Sequence, residues 1–153
     1  MELIKENKEN RRSVYFCGDR YKKVWEDRED WIYKHVKLLN QVVPGYIINY
    51  GNNYIEYSII EGYPASVVKH NDEFIKKIYK FCLKTIEDTN PWVHGDWVLS
   101  NIIIQPDGNM KMVDWDNLGI YREVDYVNKL HNDLISAFGE ERFKRVINDS
   151  AGI

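Results

Sequence analysis

Cysteine occurs only twice in this chain, at Cys17 and Cys82, too far apart and too few to offer metal-ligand spacing or a set of disulfide staples. No signal peptide and no long apolar run is in view, so a reducing cytoplasm is the expected compartment and membrane insertion is not expected. A net charge of -3 gives no general nucleic-acid or membrane partner. The four histidines, His35, His70, His94 and His131, form no metal pattern, and all but His94 read as surface or packing residues. Internal repeats and low-complexity segments are missing too. What remains is a globular composition, 44% hydrophobic with 14% aromatics, in 153 residues. That is one domain's worth of chain, able to bury roughly two thirds of its unfolded surface without cross-links.

The most informative stretch runs His94-Gly95-Asp96-Trp97-Val98-Leu99-Ser100-Asn101 and then, after an apolar segment and a Pro106-Asp107-Gly108 turn, Val113-Asp114-Trp115-Asp116. Ile102-Ile103-Ile104 and Met110-Lys111-Met112-Val113 flank turn-forming residues, which predicts a β-hairpin. An antiparallel hairpin brings its outer ends together, so Asn101 and Asp114 should lie side by side. One amide oxygen and one carboxylate then make a hard-oxygen site suited to Mg²⁺, which keeps its other positions for water and phosphate. Asp96, on the loop just before, is placed to accept the proton of an attacking hydroxyl. A base, an Asn five residues on and an Asp thirteen beyond that are what phosphoryl transfer from a nucleotide requires. Any one of these residues alone would pass for an acidic loop before a surface hairpin; the ordered set is far more specific.

At these residues the chain resembles the aminoglycoside phosphotransferase, choline kinase and lipopolysaccharide core kinase branch of the protein-kinase-like superfamily. His-Gly-Asp stands where protein kinases usually carry His-Arg-Asp, and Val98 where they usually carry Lys. The resemblance is tight from Pro91 to Asp116 and looser upstream. It implies an α+β, protein-kinase-like two-lobe fold: a five-stranded antiparallel sheet with one helix in the N-terminal lobe, then a reduced, mostly helical C-terminal lobe holding the catalytic β-hairpin. The lobes are expected at 1–62, the nucleotide-binding part, and 63–153, the catalytic part. His94 carries over as structural support rather than as the base. Trp115 takes the place of Phe in the Asp-Phe-Gly motif. Asp116 takes that of the glycine, where its carboxylate would reach a metal-bound water or an amide of the next turn.

Periodicity fills in the rest. Leu3-Ile4, Ser13 to Cys17 and Tyr21 to Trp25 read as strands, the last two joined by Gly18-Asp19. Trp31, His35, Leu38, Leu39 and Val42, with Ile32, Val36 and Val43 beside them, form a helical stripe ended by Pro44-Gly45. Strands follow around Tyr46 to Tyr50 and Tyr54 to Ile60, and Glu61-Gly62-Tyr63-Pro64 reads as a linker. Asn71 or Asp72 caps a long helix bearing Phe74, Ile75, Ile78, Tyr79, Cys82, Leu83 and Ile86, which ends before Asn90-Pro91. Trp92 and Val93 lead a short strand into His94. A helix is expected from about Glu123 to Phe138, and a shorter one around Phe143, Val146 and Ile147.

Within the resemblance, Lys23 is the strand lysine for the α- and β-phosphates of ATP, with Lys22 on the opposite strand face. Glu29 is its expected ion-pair partner, and Glu26 the alternative. Ser58 to Glu61, including Ile60, form the hinge that holds the adenine through backbone groups. Two departures stand out. The first loop, Glu6-Asn7-Lys8-Glu9-Asn10-Arg11-Arg12, has none of the glycines that let a backbone approach phosphates, leaving Lys8, Arg11 or Arg12 to meet them as charge or the segment to be a solvated charge run. Only 37 residues follow Asp116, where relatives place most of their acceptor-binding surface, so a minimal kinase is expected. The expected activity is ATP- and Mg²⁺-dependent transfer to a hydroxyl of a small molecule or carbohydrate, with a catalytically silent nucleotide or protein binder as the alternative. Glu123, Asp125, Asp133, Glu140 and Glu141 could form an acidic cleft for a cationic acceptor or simply a solvated helix face. A second copy of the chain, forming a homodimer, could cover apolar surface left by a short C-terminal part.

Overall fold

A computed structural model describes residues 2–8 and 11–150. The chain is mixed α+β and divides into two compact units, Met1–Ile59 and Ile60–Ile153.

The first unit is a five-stranded antiparallel sheet with one helix. Strands β1 (Glu2–Asn7), β2 (Arg12–Phe16), β3 (Arg20–Trp25), β4 (Ile47–Tyr50) and β5 (Tyr54–Ser58) lie in the order β1-β2-β3-β5-β4, and helix α1 (Glu29–Val42) connects β3 to β4. Gly18 adopts φ +87 in the β2–β3 turn, which Cys17 N–H closes by donating to the Arg20 carbonyl at 2.9 Å. On β3 the alternation of the strand puts Lys23 and Trp25 in the interior, with Ile55 and Tyr57 of β5 beside them. Helix α1 covers this face with Ile32, His35, Val36 and Leu39, the spacing of one helical stripe. His35 is indeed a packing residue, its ring stacked on Trp31 at 4.5 Å. The chain leaves α1 through Gly45 at φ +84.

The first loop is shorter than the sequence implied. Glu6 and Asn7 belong to β1 and pair with Ser13 and Arg12 of β2, so backbone hydrogen bonding extends almost to the turn. Glu9 and Asn10 lie outside the described residues.

The second unit opens with β6 (Tyr63–Pro64), where a linker was expected. Its two residues pair antiparallel with Ile104 and Ile103, and Gly62 makes the approach possible: a Cβ there would stand 2.2 Å from the Ile104 carbonyl oxygen. The hairpin strands β7 (Ile102–Ile104) and β8 (Met110–Met112) complete a three-stranded sheet in the order β6-β7-β8. Helix α2 (Asp72–Thr89) is capped by Asn71, whose side chain accepts the Phe74 N–H at 2.8 Å. Helices α3 (Glu123–Phe138) and α4 (Glu140–Ser150) follow, and Ile75, Ile78, Cys82, Leu130, Leu134, Phe143 and Val146 are buried. Leu83, expected on the apolar face of α2, is exposed instead. Burial pushes the Cys82 thiol up to about 12, which makes it an inert core group rather than a nucleophile. Arg142 and Arg145 of α4 both pair with Asp72 and tie α4 to the start of α2. Among the described residues no helix is long and apolar enough to cross a membrane.

Candidate active site

Val93 enters the site through a single antiparallel bridge to Gly119, and His94 follows, fully buried. The next position turns back at φ +88, open to glycine alone without strain, and an added Cβ would meet the Asn117 carbonyl oxygen at 2.9 Å. The requirement for Gly95 is therefore steric. Asp96 follows on this turn, half-buried.

His94 joins both halves of the motif. Its Nδ1 accepts the Asp96 N–H at 3.1 Å, and Nε2 donates to the Val113 carbonyl at 2.8 Å. That pair of bonds defines the neutral tautomer protonated at Nε2. Burial holds its pKa below the ordinary 6.5, against the opposing pull of the Val113 carbonyl and of Asp114, Asp96 and Asp116. The ring packs edge-on to Trp115 at 4.6 Å and beside Trp97 at 5.7 Å. Trp115 is anchored in turn by Nε1 donating to the Met112 carbonyl at 3.1 Å.

One turn of 3₁₀ helix, Leu99–Asn101, carries the chain into β7, with the Asn101 N–H on the Val98 carbonyl at 3.0 Å. Asn101 is buried, and its Nδ2 donates to the Asp96 carbonyl at 3.4 Å. Val113 N–H donates to the Asn101 carbonyl at 2.8 Å, so the residue before Asp114 is hydrogen-bonded directly to Asn101. The hairpin thus brings the backbones of Asn101 and Asp114 alongside one another. Asp114 itself sits in the left-handed region at φ +58, which turns the chain out of the strand.

The side-chain oxygens at these two positions are of the type that magnesium prefers. Its amide nitrogen engaged with Asp96, Asn101 has its oxygen at the other end of the amide, and Asp114 contributes a carboxylate; both are hard donors. No group of three or more His, Cys, Asp or Glu side chains that could cage a metal occurs among the described residues. Two such oxygens would suit Mg²⁺ only with phosphate and water completing its shell.

The other expected site residues lie in or next to the first unit. Lys23 is buried, with Nζ 5.3 Å from the centre of the Tyr57 ring, whereas Lys22 on the opposite face lies over Tyr54. Glu29, the expected partner of Lys23, opens α1 as an exposed residue, where the helix N-terminus favours its carboxylate. Glu26 is exposed as well. Ser58 ends β5 with its hydroxyl donating to the Gly45 carbonyl at 3.0 Å, and Ile60 begins the second unit. Arg11, one of three cations offered for the phosphates beside the alternative of a solvated charge run, is ion-paired with Asp27 at 2.8 Å.

Sequence reasoning missed the role of Asp133. From α3 its Oδ2 accepts the Trp97 N–H at 3.0 Å, and Lys129 one turn earlier holds the same carboxylate at 2.7 Å. Asp133 fixes the backbone next to Asp96. Its spacing from Lys129 was visible; its contact with Trp97 was not. Most of the supposed acidic cleft is also neutralised in place, since Asp125 pairs with Arg122 and Glu140 with Lys144.

No protein-family model matches the sequence, and no curated protein does. Solved structures do. The fold is kinase-like, and similar structures include those of WbdD, described as a bifunctional kinase-methyltransferase. One matches with a TM-score of 0.63 at 14% identity, covering 82% of this chain and 34% of that one. WbdD with the kinase inhibitor LY294002 gives a TM-score of 0.63 at 12% identity over 90% of this chain and 38% of the other. A third, with the C-terminal bundle of WbdD ordered, gives 0.64 at 12% identity over 92% and 36%. The chain spans little more than a third of the length of the proteins it matches.

Proposed function

We propose that this chain is a phosphotransferase that moves the γ-phosphoryl group of ATP to a hydroxyl of a small molecule or carbohydrate. The observation that carries the reading is the pair of hydrogen bonds made by the buried His94 ring, which ties Asp96 and the end of the Asn101–Asp114 hairpin into one unit. Such rigidity is what a site that works by positioning needs. The kinase-like fold and the name of the WbdD neighbours support it.

In this reading residues 1–62 form the nucleotide-binding lobe and 63–153 the catalytic one. Lys23 binds the α- and β-phosphates, and the Ser58–Ile60 backbone holds the base. Asp96 accepts the acceptor hydroxyl's proton as that oxygen bonds to the γ-phosphorus and the bond to the β-phosphate oxygen breaks, releasing ADP. Asn101 and Asp114 are the residues that would hold Mg²⁺, which when bound would neutralise charge on the phosphates.

A second reading, a silent nucleotide binder, draws on the glycine-free first loop and the engagement of Arg11 with Asp27. One experiment separates the two: thermal stabilisation by ATP with and without Mg²⁺, followed by γ-phosphate transfer to hydroxylated acceptors. A metal-dependent shift with transfer that drops roughly 10²- to 10⁴-fold in Asp96→Asn supports the enzyme. A shift without transfer or hydrolysis supports the binder, and full transfer by Asp96→Asn removes Asp96 from its role.

A further inference from the structure

Lys22 and Lys23 are neighbours on β3, and each lies over a tyrosine of β5, on opposite faces of the sheet. In the strand ladder Lys22 stands opposite Glu56 and Lys23 opposite Ile55. Each ring is therefore a diagonal neighbour, two residues from the cross-strand partner and within reach of a long side chain. Lys22 leans back to Tyr54, with Nζ 4.5 Å from the ring centre, while Lys23 leans the other way, to Tyr57 at 5.3 Å, the residue before Ser58. Both distances suit a cation–π contact.

The surroundings separate the two pairs. Lys22 and Tyr54 are half-buried, whereas Lys23 is 8% exposed and Tyr57 2%. Withdrawing an ammonium from water is costly, and the negative face of an aromatic ring offsets more of that cost where water does not compete. Tyr57 is itself held in place. Its ring packs against Tyr46 at 5.0 Å, and the next residue, Ser58, donates its N–H to the Tyr46 carbonyl at 2.8 Å and its hydroxyl to the Gly45 carbonyl at 3.0 Å. The ring is the fixed member of the pair, and the lysine stem is the flexible one.

We infer that Tyr57 is a positioning residue, whose ring holds the Lys23 ammonium, before any nucleotide arrives, in the arrangement that meets the α- and β-phosphates of ATP. The inference rests on the phosphotransferase reading and adds to it a residue that acts through Lys23. Ordering a lysine costs rotamer entropy, so a stem ordered in advance binds phosphate more tightly with the same charge.

The test uses the full chain carrying Tyr57→Phe, and the same position filled by mono- and trifluorinated phenylalanine. Fluorine drains charge from the face of the ring with little change of shape, so a purely structural role treats the series alike. Calorimetry measures the Kd for ATP with Mg²⁺, and NMR follows the Lys23 Hε protons, which a ring beneath them displaces upfield. Tyr57→Phe should bind ATP within about twofold of the wild type, and the trifluorinated protein roughly three- to tenfold more weakly. In a Lys23→Met background, titrated at higher nucleotide concentration, the series should be flat. Tyr54→Leu, which strips the ring from Lys22 on the other face, should leave ATP affinity unchanged. Equal affinity across the series, the same decline in the Lys23→Met background, or no upfield Hε displacement in the wild type would overturn the role. Wild-type protein that shows the displacement but binds no ATP would retain the contact and sink the phosphotransferase reading instead.

Discussion

Asp133 accepts the backbone N–H of Trp97 at 3.0 Å across 36 residues of chain, and so fastens helix α3 to the loop that carries Asp96. Its side chain is only 12% exposed, which leaves water little access to the N–H if the carboxylate is removed. Asp133→Ala should therefore cost about 1–3 kcal/mol, the range for an orphaned donor that had a charged partner. Asp133→Asn keeps an acceptor oxygen and should recover much of that loss. Urea unfolding measures both. If the loop also drifts, kcat in the alanine variant should fall by more than the asparagine variant shows, since small displacements of a catalytic group cost up to about 10²-fold.

His94 should make the stability of the fold decline as pH falls below 6.5. Its folded pKa lies below the ordinary 6.5 because the ring is buried, so the unfolded chain takes up a proton that the folded chain resists. The stabilisation is complete above 6.5 and is lost as pH falls from there toward the folded value, with a slope of at most one proton. Protonation would also put a hydrogen on Nδ1, where the Asp96 N–H now finds its acceptor. Stability and transfer should decline together in this window. His94→Gln should be less stable at neutral pH and flatter below 6.5, and a pH series of denaturant midpoints for both proteins checks the sign.

Legibility in the sequence followed the range of the interaction. The β7–β8 hairpin, the Asn71 cap and helix α3 are written in residues a few positions apart, and turn chemistry and periodicity located them. Convergence of the Asn101 and Asp114 backbones followed from hairpin geometry alone. By contrast, β6 is two residues long, contains a proline and exists only because Ile103 and Ile104 lie beside it; no local pattern announces such a strand. Trp97 with Asp133, and Asp72 with Arg142 and Arg145, are likewise separated by 36 or more residues. The expected Lys23–Glu29 pair has the opposite origin. A resemblance supplied both residues, but the first turn of α1 leaves Glu29 at the surface.

Gly95 should be the least replaceable glycine of the Asp96 loop. Gly95→Ala combines a positive φ with a Cβ 2.9 Å from a backbone oxygen that has no room to move cheaply. Gly18, at nearly the same φ of +87, has nothing within 4 Å of the added Cβ. Comparing the two alanine variants isolates the steric part. Gly18→Ala should cost about 1 kcal/mol from backbone conformation alone, and Gly95→Ala more, at about 2–3 kcal/mol, with loss of transfer activity. Equal unfolding free energies for the two variants would show that Asn117 yields without cost.

At Asp114 the requirements of backbone and of chemistry diverge. The residue occupies φ +58, a conformation that glycine adopts freely and alanine does not. Asp114→Ala and Asp114→Gly remove the same carboxylate, so whatever that group contributes to the folded state cancels between them. The difference left is the left-handed strain of alanine, about 1–2 kcal/mol, less the greater freedom glycine has in the unfolded chain, about 0.5–1 kcal/mol. Asp114→Gly should therefore be the more stable variant by roughly 1 kcal/mol, read from chemical denaturation. Both should lose Mg²⁺-dependent stabilisation by ATP alike, because neither supplies a hard oxygen. An Asp114→Gly protein that kept the metal-dependent shift would show that the cation is held without this carboxylate.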